Sequence, residues 1–360
     1  MRPERRLSDS PQQRLLSNGG RGCLIALAIA LIICALGGYL IFRWWKKKEV
    51  PPPPPSGDEL QVHVLDVGQG DSILIIAPGG KSVLIDAGVP GSGRVVMDAL
   101  KRYNVQQLDL MVATHAHADH IGGADEVLKA VHVTTVLDSR VPNTTKNYED
   151  FLAAIKQTGA KYLGAQPGQT FDLGGGAVLS VLAPIQPFFK QADIRSGGNE
   201  PNANSVVTRL DYGDFSMLLT GDAEAETEER MMKSGANVTA KVLKVGHHGS
   251  KYASSENFLR QGKFEAAVIS DGTDNRYGHP SQEALDRFKK FNIKLYRTDL
   301  QGELTIISRG HGYEIKTARE ASGDLWAGRT PQKSEPARVG FDPSAETETP
   351  ARSKRATGGR

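Results

Sequence analysis

The chain of 360 residues carries 44 Lys+Arg against 41 Asp+Glu, with 39% hydrophobic and 24% charged residues, a balance that excludes a wholly disordered or fibrous chain. Residues 57–320 hold 28 basic and 33 acidic side chains, a net of −5; the positive excess therefore belongs to the two ends, and the body lacks the bulk charge of a tight non-specific DNA binder. Both cysteines, Cys23 and Cys34, lie near the N-terminus, which excludes disulfides and thiolate metal ligands from everything that follows.

A short polar tail, 1–22, precedes a run of 20 uncharged residues from Cys23 to Phe42. At ~1.5 Å per residue such a run crosses a hydrocarbon core of about 30 Å. It is longer than a signal-peptide apolar segment and no A-x-A-like site follows it, so the expectation is a single transmembrane anchor. Basic residues flank it on both sides, Arg2, Arg5, Arg6, Arg14 and Arg21 before and Arg43 with Lys46 to Lys48 after, and charge counting does not choose an orientation. The segment 43–57 is a basic and proline-rich spacer in which Pro51 to Pro55 form a polyproline II rod ~15 Å long.

From 58 to 318 apolar alternation and helical periods take turns. Strands are predicted at 61–67, 72–77 and 82–86, separated by glycine-containing turns, then a helix at 94–103. A strand at 108–113 leads directly into THAHADHIGG, and helices at 124–130 and 148–158 flank a strand at 134–137. The stretch 159–201 has no clear period. Strands at 205–210 and 215–220 form a hairpin over Tyr212-Gly213-Asp214, followed by a helix at 223–233 and strands at 241–245 and 266–270. A helix at 281–291 and strands at 294–297, 303–307 and 313–316 complete the body. This order suggests sheet packed on sheet with helices outside. Residues 319–360, rich in Gly, Pro, Ser, Thr, Arg and Glu, read as a disordered tail.

Of nine histidines, three fall between His115 and His120. In extended backbone His115 and His117 project to one side, and Asp119 with His120 can turn towards a neighbouring point, so two metals could each take two ligands. Imidazole and carboxylate suit Zn²⁺, Mn²⁺ or Fe²⁺. Further donors stand at other predicted strand ends: Asp222 in LLTGDAE, His247 and His248 in LKVGHHGS, and His279 in RYGHP. Their bland readings are a helix N-cap for Asp222 and turn residues for the histidines. Asp66 and Asp71 in DVGQGD read as loop-shaping acceptors, and Asp86 in LIDAG as an orienting partner for a ligand histidine.

The ordered set LDVGQGDSILI, LIDAG, THAHADHIGG, NANSVV, LLTGDAE, VLKVGHHGS, YGHP and YRTD, from about Leu60 to Ile315, resembles the metallo-β-lactamase superfamily. Within it the set is similar to the hydrolase domain of ComEC-type DNA-uptake proteins and related stand-alone enzymes. The resemblance implies an α/β fold, an αββα sandwich with one or two divalent metal ions, Zn or Mn, at one edge. It assigns His115 and His117 to the first metal, Asp119 and His120 to the second, Asp222 as the bridge and His247 as the residue that closes the set. The histidine usual between the motif and the bridging aspartate is missing; Asn202, Asn204 and Ser205 stand near its place. ComEC proteins carry many membrane helices and this sequence shows one apolar run, so the expectation is the hydrolase domain on its own tether.

The expected chemistry is phosphodiester hydrolysis by metal-activated hydroxide. Asp119 holds the attacking oxygen, Asn204 or Ser205 hydrogen-bonds a phosphate oxygen, and His248 or His279 protonates the leaving group. The expected substrate is DNA at the outer face of a cell membrane. A phosphodiesterase of phosphorylated surface polymers or lipid head groups is the alternative, and a non-catalytic tethered binding module the third reading; no protein partner is predictable.

Overall fold

The computed structural model of the chain describes residues 57–273 and 275–330. The predicted N-terminal tail, anchor and nearly all of the spacer lie outside the described residues, as does the tail beyond Thr330. Among the described residues no helix is long and apolar enough to cross a membrane.

The chain opens with an antiparallel meander, β1 (Leu60–Val64), β2 (Ile73–Ile76) and β3 (Ser82–Ile85). Helix α1 (Gly93–Arg102), strand β4 (Gln107–Ala113), helix α2 (Ala124–Ala130), strand β5 (His132–Asp138), helix α3 (Lys146–Thr158) and strand β6 (Lys161–Gly164) follow, with β3 to β6 parallel. The second half holds β7 (Thr170–Gly174), β8 (Ala177–Ala183), β9 (Val207–Tyr212) and β10 (Phe215–Leu219), which pair antiparallel. Then come α4 (Ala225–Lys233), β11 (Val242–Lys244), α5 (Glu256–Gly262), β12 (Ala266–Ile269), α6 (Gln282–Lys290) and β13 (Lys294–Arg297), with β10 to β13 parallel. Strands β14 (Leu304–Ser308) and β15 (Glu314–Thr317) return to the first sheet.

The result is an eight-stranded sheet, β15-β14-β1-β2-β3-β4-β5-β6, facing a seven-stranded sheet, β13-β12-β11-β10-β9-β8-β7. Burial along β10 shows how sequence builds the layers. Met217 and Leu219 join the core between the sheets, whereas Leu218 faces the helices beside Met231, Phe258 and Leu285. A strand covered on both faces reads as a continuous apolar run, and FSMLL does. On the other side Leu84, Met111 and Val136 pack on Val96, Leu128 and Phe151. The expected αββα sandwich is therefore present.

Three strands, β6 to β8, occupy the stretch without a sequence period. β6 and β7 are sheet edges with most residues partly or fully exposed, so they lack the apolar signature of the interior strands. Helix α5 was also without a prediction; it starts where the Ser255 side chain accepts from Phe258 N.

The predicted tail needs a correction at its start. Residues 319–330 stay on the domain because Arg297, 1% exposed, holds them. Its guanidinium grips Asp299 through Nε–Oδ1 (3.0 Å) and Nη2–Oδ2 (2.8 Å) and donates Nη1 to the carbonyls of Leu325 and Ala327. Leu325 and Trp326 cover the helix-side core. A polar composition hid these two apolar anchors.

Candidate metal centre

The parallel strands β3, β4 and β5 of one sheet and β10, β11 and β12 of the other end at a shared edge, and the polar residues after each strand meet there. After β3, Asp86 sits at φ 57°, a costly conformation for a residue with a Cβ and one found at functional sites. Its Oδ1 accepts Thr114 N (2.8 Å) and its Oδ2 accepts Thr114 Oγ1 (2.7 Å) while lying 2.7 Å from His120 Nδ1. That contact fixes the His120 ring with Nε2 turned to Asp222, the orienting role expected of Asp86.

Two clusters of donors share Asp222. Asp222 Oδ1 lies 3.2 Å from His120 Nε2 and 3.6 Å from His248 Nε2, and His248 Nε2 lies 3.5 Å from Asp119 Oδ2. Asp222 Oδ2 faces His115 Nε2 and His247 Nε2, each at 3.8 Å, and His115 Nε2 is 3.0 Å from His117 Nδ1. Asp222 Oδ1, His120 Nε2 and His248 Nε2 are buried without hydrogen-bond partners, a costly state that a divalent cation would relieve. The donor atoms of His115, His120 and Asp222, and those of Asp119, His120 and His248, lie within 4.8 Å of one another. The residues fit a two-metal site of imidazole and carboxylate ligands.

The charge state points the same way. Burial drives the His115 imidazole well below its ordinary pKa, with His120 adding to the effect, and burial lowers His117 too; neutral imidazole is the form that ligates. Burial would also lower His120 and His248, but the surrounding carboxylates prevail. Asp222 and Asp86 push His120 well up, and Asp222, Asp119 and Asp71 push His248 to about 9. Burial would raise the two acids, yet His120 and His248 hold Asp222 and Asp119 below the usual carboxylate range. The cluster calls for positive charge.

The structure redistributes several of the predicted roles. His247 and His248, at φ 47° and 51°, form a left-handed turn after β11 that sends the two rings to different sides of Asp222. His248 joins Asp119 and His120, with its Nδ1 2.9 Å from the Ser270 carbonyl, the hydrogen bond typical of a ligand histidine. His247 joins His115 and His117, its Nδ1 2.7 Å from the buried Glu224 Oε1. It stands where the missing mid-chain histidine leaves the first cluster short.

Asn204 is a clear correction. Its Oδ1 accepts Phe189 N and its Nδ2 donates to the carbonyls of Phe189 and Glu200, so it braces the preceding loop and offers nothing to a phosphate. Ser205 is fully buried under the site, where its Oγ accepts Asp222 N at 3.3 Å and lies 3.4 Å from His115 Nδ1; it supports the cluster and does not face the cavity. Asn202, two residues earlier in the short turn Glu200–Ala203, lines the cavity where Asn204 does not, with Nδ2 3.3 Å from His247 Nδ1 and a buried unpartnered Oδ1. His279 reaches the cavity wall; burial, aided by His247 and His248, brings its imidazole down to about 3.

Glu224 and Lys244 are not singled out by the sequence, and Asn202 is noted there only for its place near the missing histidine. Lys244 is fully buried, 2.7 Å from Asp71 Oδ2. Asp71 is therefore the counter-ion of a buried lysine, beyond the acceptor role expected of it.

The cavity above the clusters measures about 640 Å³, with Val89 and Tyr277 among the residues that line it. A sandwich of this topology with a shared aspartate between two histidine clusters has the donor set of a two-metal centre. Residues 65–184 match the family described as the Metallo-beta-lactamase superfamily, and the chain carries a metallo-β-lactamase domain. Its curated relatives include ComE operon protein 3 of Bacillus subtilis, 33% identical over 263 residues that cover 68% of this chain and 33% of that protein. Competence protein ComA of Neisseria gonorrhoeae is 32% identical, covering 70% of this chain and 33% of that protein. Probable metallo-hydrolase YflN of Bacillus subtilis is 39% identical over 157 residues, 42% of this chain and 58% of that protein. The chain spans about a third of the length of the two competence proteins. It carries a domain of this superfamily and has homologues among ComEC-type competence proteins.

Proposed function

We propose that the chain is a membrane-anchored, metal-dependent phosphodiesterase acting on DNA. The observation that carries the reading is the single Asp222 carboxylate presenting one oxygen to each of two imidazole clusters at the floor of an open polar cavity. His115, His117, His247 and Asp222 would hold one divalent ion, and Asp119, His120, His248 and Asp222 the other. When bound, such a pair lowers the pKa of water and offsets charge on both the attacking and leaving oxygens of an in-line displacement.

The protein's own groups supply the rest. Asp119, partly exposed at the cavity floor, accepts a hydrogen bond from the attacking water and orients it. Asn202 donates an Nδ2 hydrogen to a non-bridging phosphate oxygen. The new P–O bond forms from water as the ester P–O bond opens, and the proton that water loses is made up to the departing oxygen from solvent, giving a phosphomonoester and an alcohol. His279, neutral at physiological pH, donates a ring N–H to the departing oxygen rather than serving as an imidazolium acid.

Bis(p-nitrophenyl) phosphate should turn over with Mn²⁺ or Zn²⁺, stop on chelation, and lose at least about 100-fold in kcat/KM in Asp119→Ala. Metal shown to be bound without turnover would sink the phosphodiesterase assignment. A second reading, hydrolysis of phosphorylated surface polymers or lipid head groups, is favoured by the body's excess of acidic residues, 33 against 28 basic, which disfavours a long polyanion.

The apolar run Cys23–Phe42 supports a single-pass anchor, and the proposal places the domain outside the cytoplasm. Protease added to intact cells should then remove the domain, whereas resistance until the membrane is broken would reverse the orientation.

A further inference from the structure

One side of the cavity wall carries a run of rings from the clusters towards solvent. From His247 at the floor, the His279 ring follows with centroids 5.2 Å apart at 72°, and the Tyr277 ring follows His279 at 6.0 Å and 19°. Tyr277 is 63% exposed, the most exposed of the large hydrophobic side chains among the described residues. Arg276 beside it is also exposed and lines the same cavity.

The loop that presents these residues is braced from both sides. Asn275, buried at its base, accepts the N–H groups of Gly278 and His279 on Oδ1, at 2.9 Å each, and donates Nδ2 to the carbonyls of Gly272 and His279. Arg329 closes the loop's ends by donating Nη1 to Thr273 O and its backbone N–H to Pro280 O, both at 2.9 Å. An aromatic ring left in water on a braced loop is a face prepared for another flat apolar group, because little ordering entropy is lost on contact.

We propose that Tyr277, with Arg276 beside it, forms a stacking subsite for an unpaired nucleobase next to the phosphodiester held at the metal clusters. The inference rests on the phosphodiesterase reading and names its substrate as single-stranded nucleic acid. A base offers a π face to Tyr277, and the phosphate that follows it offers a charge to Arg276. A polyol phosphate or a lipid head group has no such face.

Binding of two fluorescent strands to the full-length chain in detergent, with Ca²⁺ in place of Mn²⁺ or Zn²⁺ so that the phosphate is held and neither strand is cut, tests the subsite. One strand is (dT)12 and the other an abasic phosphodiester of equal length. They carry the same charge, so the ratio of their dissociation constants isolates the base.

The base-bearing strand should bind about tenfold tighter, within the range of one base–aromatic stack. Tyr277→Ala should bring the ratio close to one, Tyr277→Leu should do the same without changing bulk much, and Tyr277→Phe should keep it. A ratio near one in the wild type, or one unchanged in Tyr277→Ala, would overturn the subsite. Turnover of bis(p-nitrophenyl) phosphate without a base preference would leave the phosphodiesterase reading standing and remove the subsite. A base preference in a chain that binds metal but hydrolyses no phosphodiester would do the reverse.

Discussion

Asp222→Asn should abolish both metal binding and hydrolysis, with kcat/KM falling by at least about 10³-fold, well beyond the ~10- to 100-fold cost of losing an outer-shell partner. The substitution keeps the shape of the side chain and removes its function. Asp222 is 1% exposed, and its two oxygens face four imidazole nitrogens across two clusters. An amide leaves one oxygen to accept and turns a non-ligating NH₂ towards the other cluster. The loss is separable from unfolding. Wild type should gain thermal stability on adding metal, because a ligand that binds only the folded state shifts the equilibrium, whereas Asp222→Asn should melt at one temperature with or without it. Ser205→Ala, which removes only the hydroxyl that accepts Asp222 N, should retain metal and lose about tenfold or less. Wild-type metal content in Asp222→Asn would show that Asp222 does not bridge.

How much of this was legible depends on whether the signal was local. The HxHxDH spacing and the polar residues after apolar strands could be read because strand ends place them; β4 delivers His115 and β10 delivers Asp222 to the same edge. What was not legible is that His248, read as an acid for the leaving group, joins Asp119 and His120. His247 and His248 are neighbours whose separate destinations depend on two consecutive left-handed residues, and nothing in GHHG declares that conformation. The choice between Asn202 and Asn204 likewise turns on the pitch of one short turn, which points the first at the cavity and locks the second against Phe189.

The edge strands fail for a different reason. Interior strands such as ILII are apolar because both faces are covered, but β6 and β7 have little to cover them and spell out no pattern. Buried charge is the hardest feature of all to read from sequence. Lys244 at the end of VLK looks like a residue emerging into solvent, and its partner Asp71 is 173 positions away in the other half of the fold.

That pair gives the largest expected effect on stability. Lys244→Met should cost about 3–5 kcal/mol in denaturant unfolding at neutral pH, the loss typical when one partner of a buried ion pair is removed. Lys244 ends β11, between β10 and β12 in the seven-stranded sheet, while Asp71 belongs to the loop between β1 and β2 of the other sheet. Nζ reaches Asp71 Oδ2 at 2.7 Å and donates to Val245 O at 2.9 Å, so the pair ties the two sheets together beneath the metal centre. Methionine fills similar volume, so the damage comes from leaving the Asp71 carboxylate buried and unpaired rather than from a cavity. Lys244→Met with Asp71→Leu should therefore recover much of the loss, since an apolar pair of similar size often replaces a buried ion pair at little cost. The single variant should also disturb the metal centre. Asp71 Oδ1 lies 3.5 Å from His248 Nδ1, and without Lys244 its carboxylate is free to turn towards that nitrogen in competition with the Ser270 carbonyl. Metal affinity should fall in the single variant even below its melting transition. A single variant within 1 kcal/mol of wild type, or a double variant no better than the single, would show that the pair does not hold the sheets.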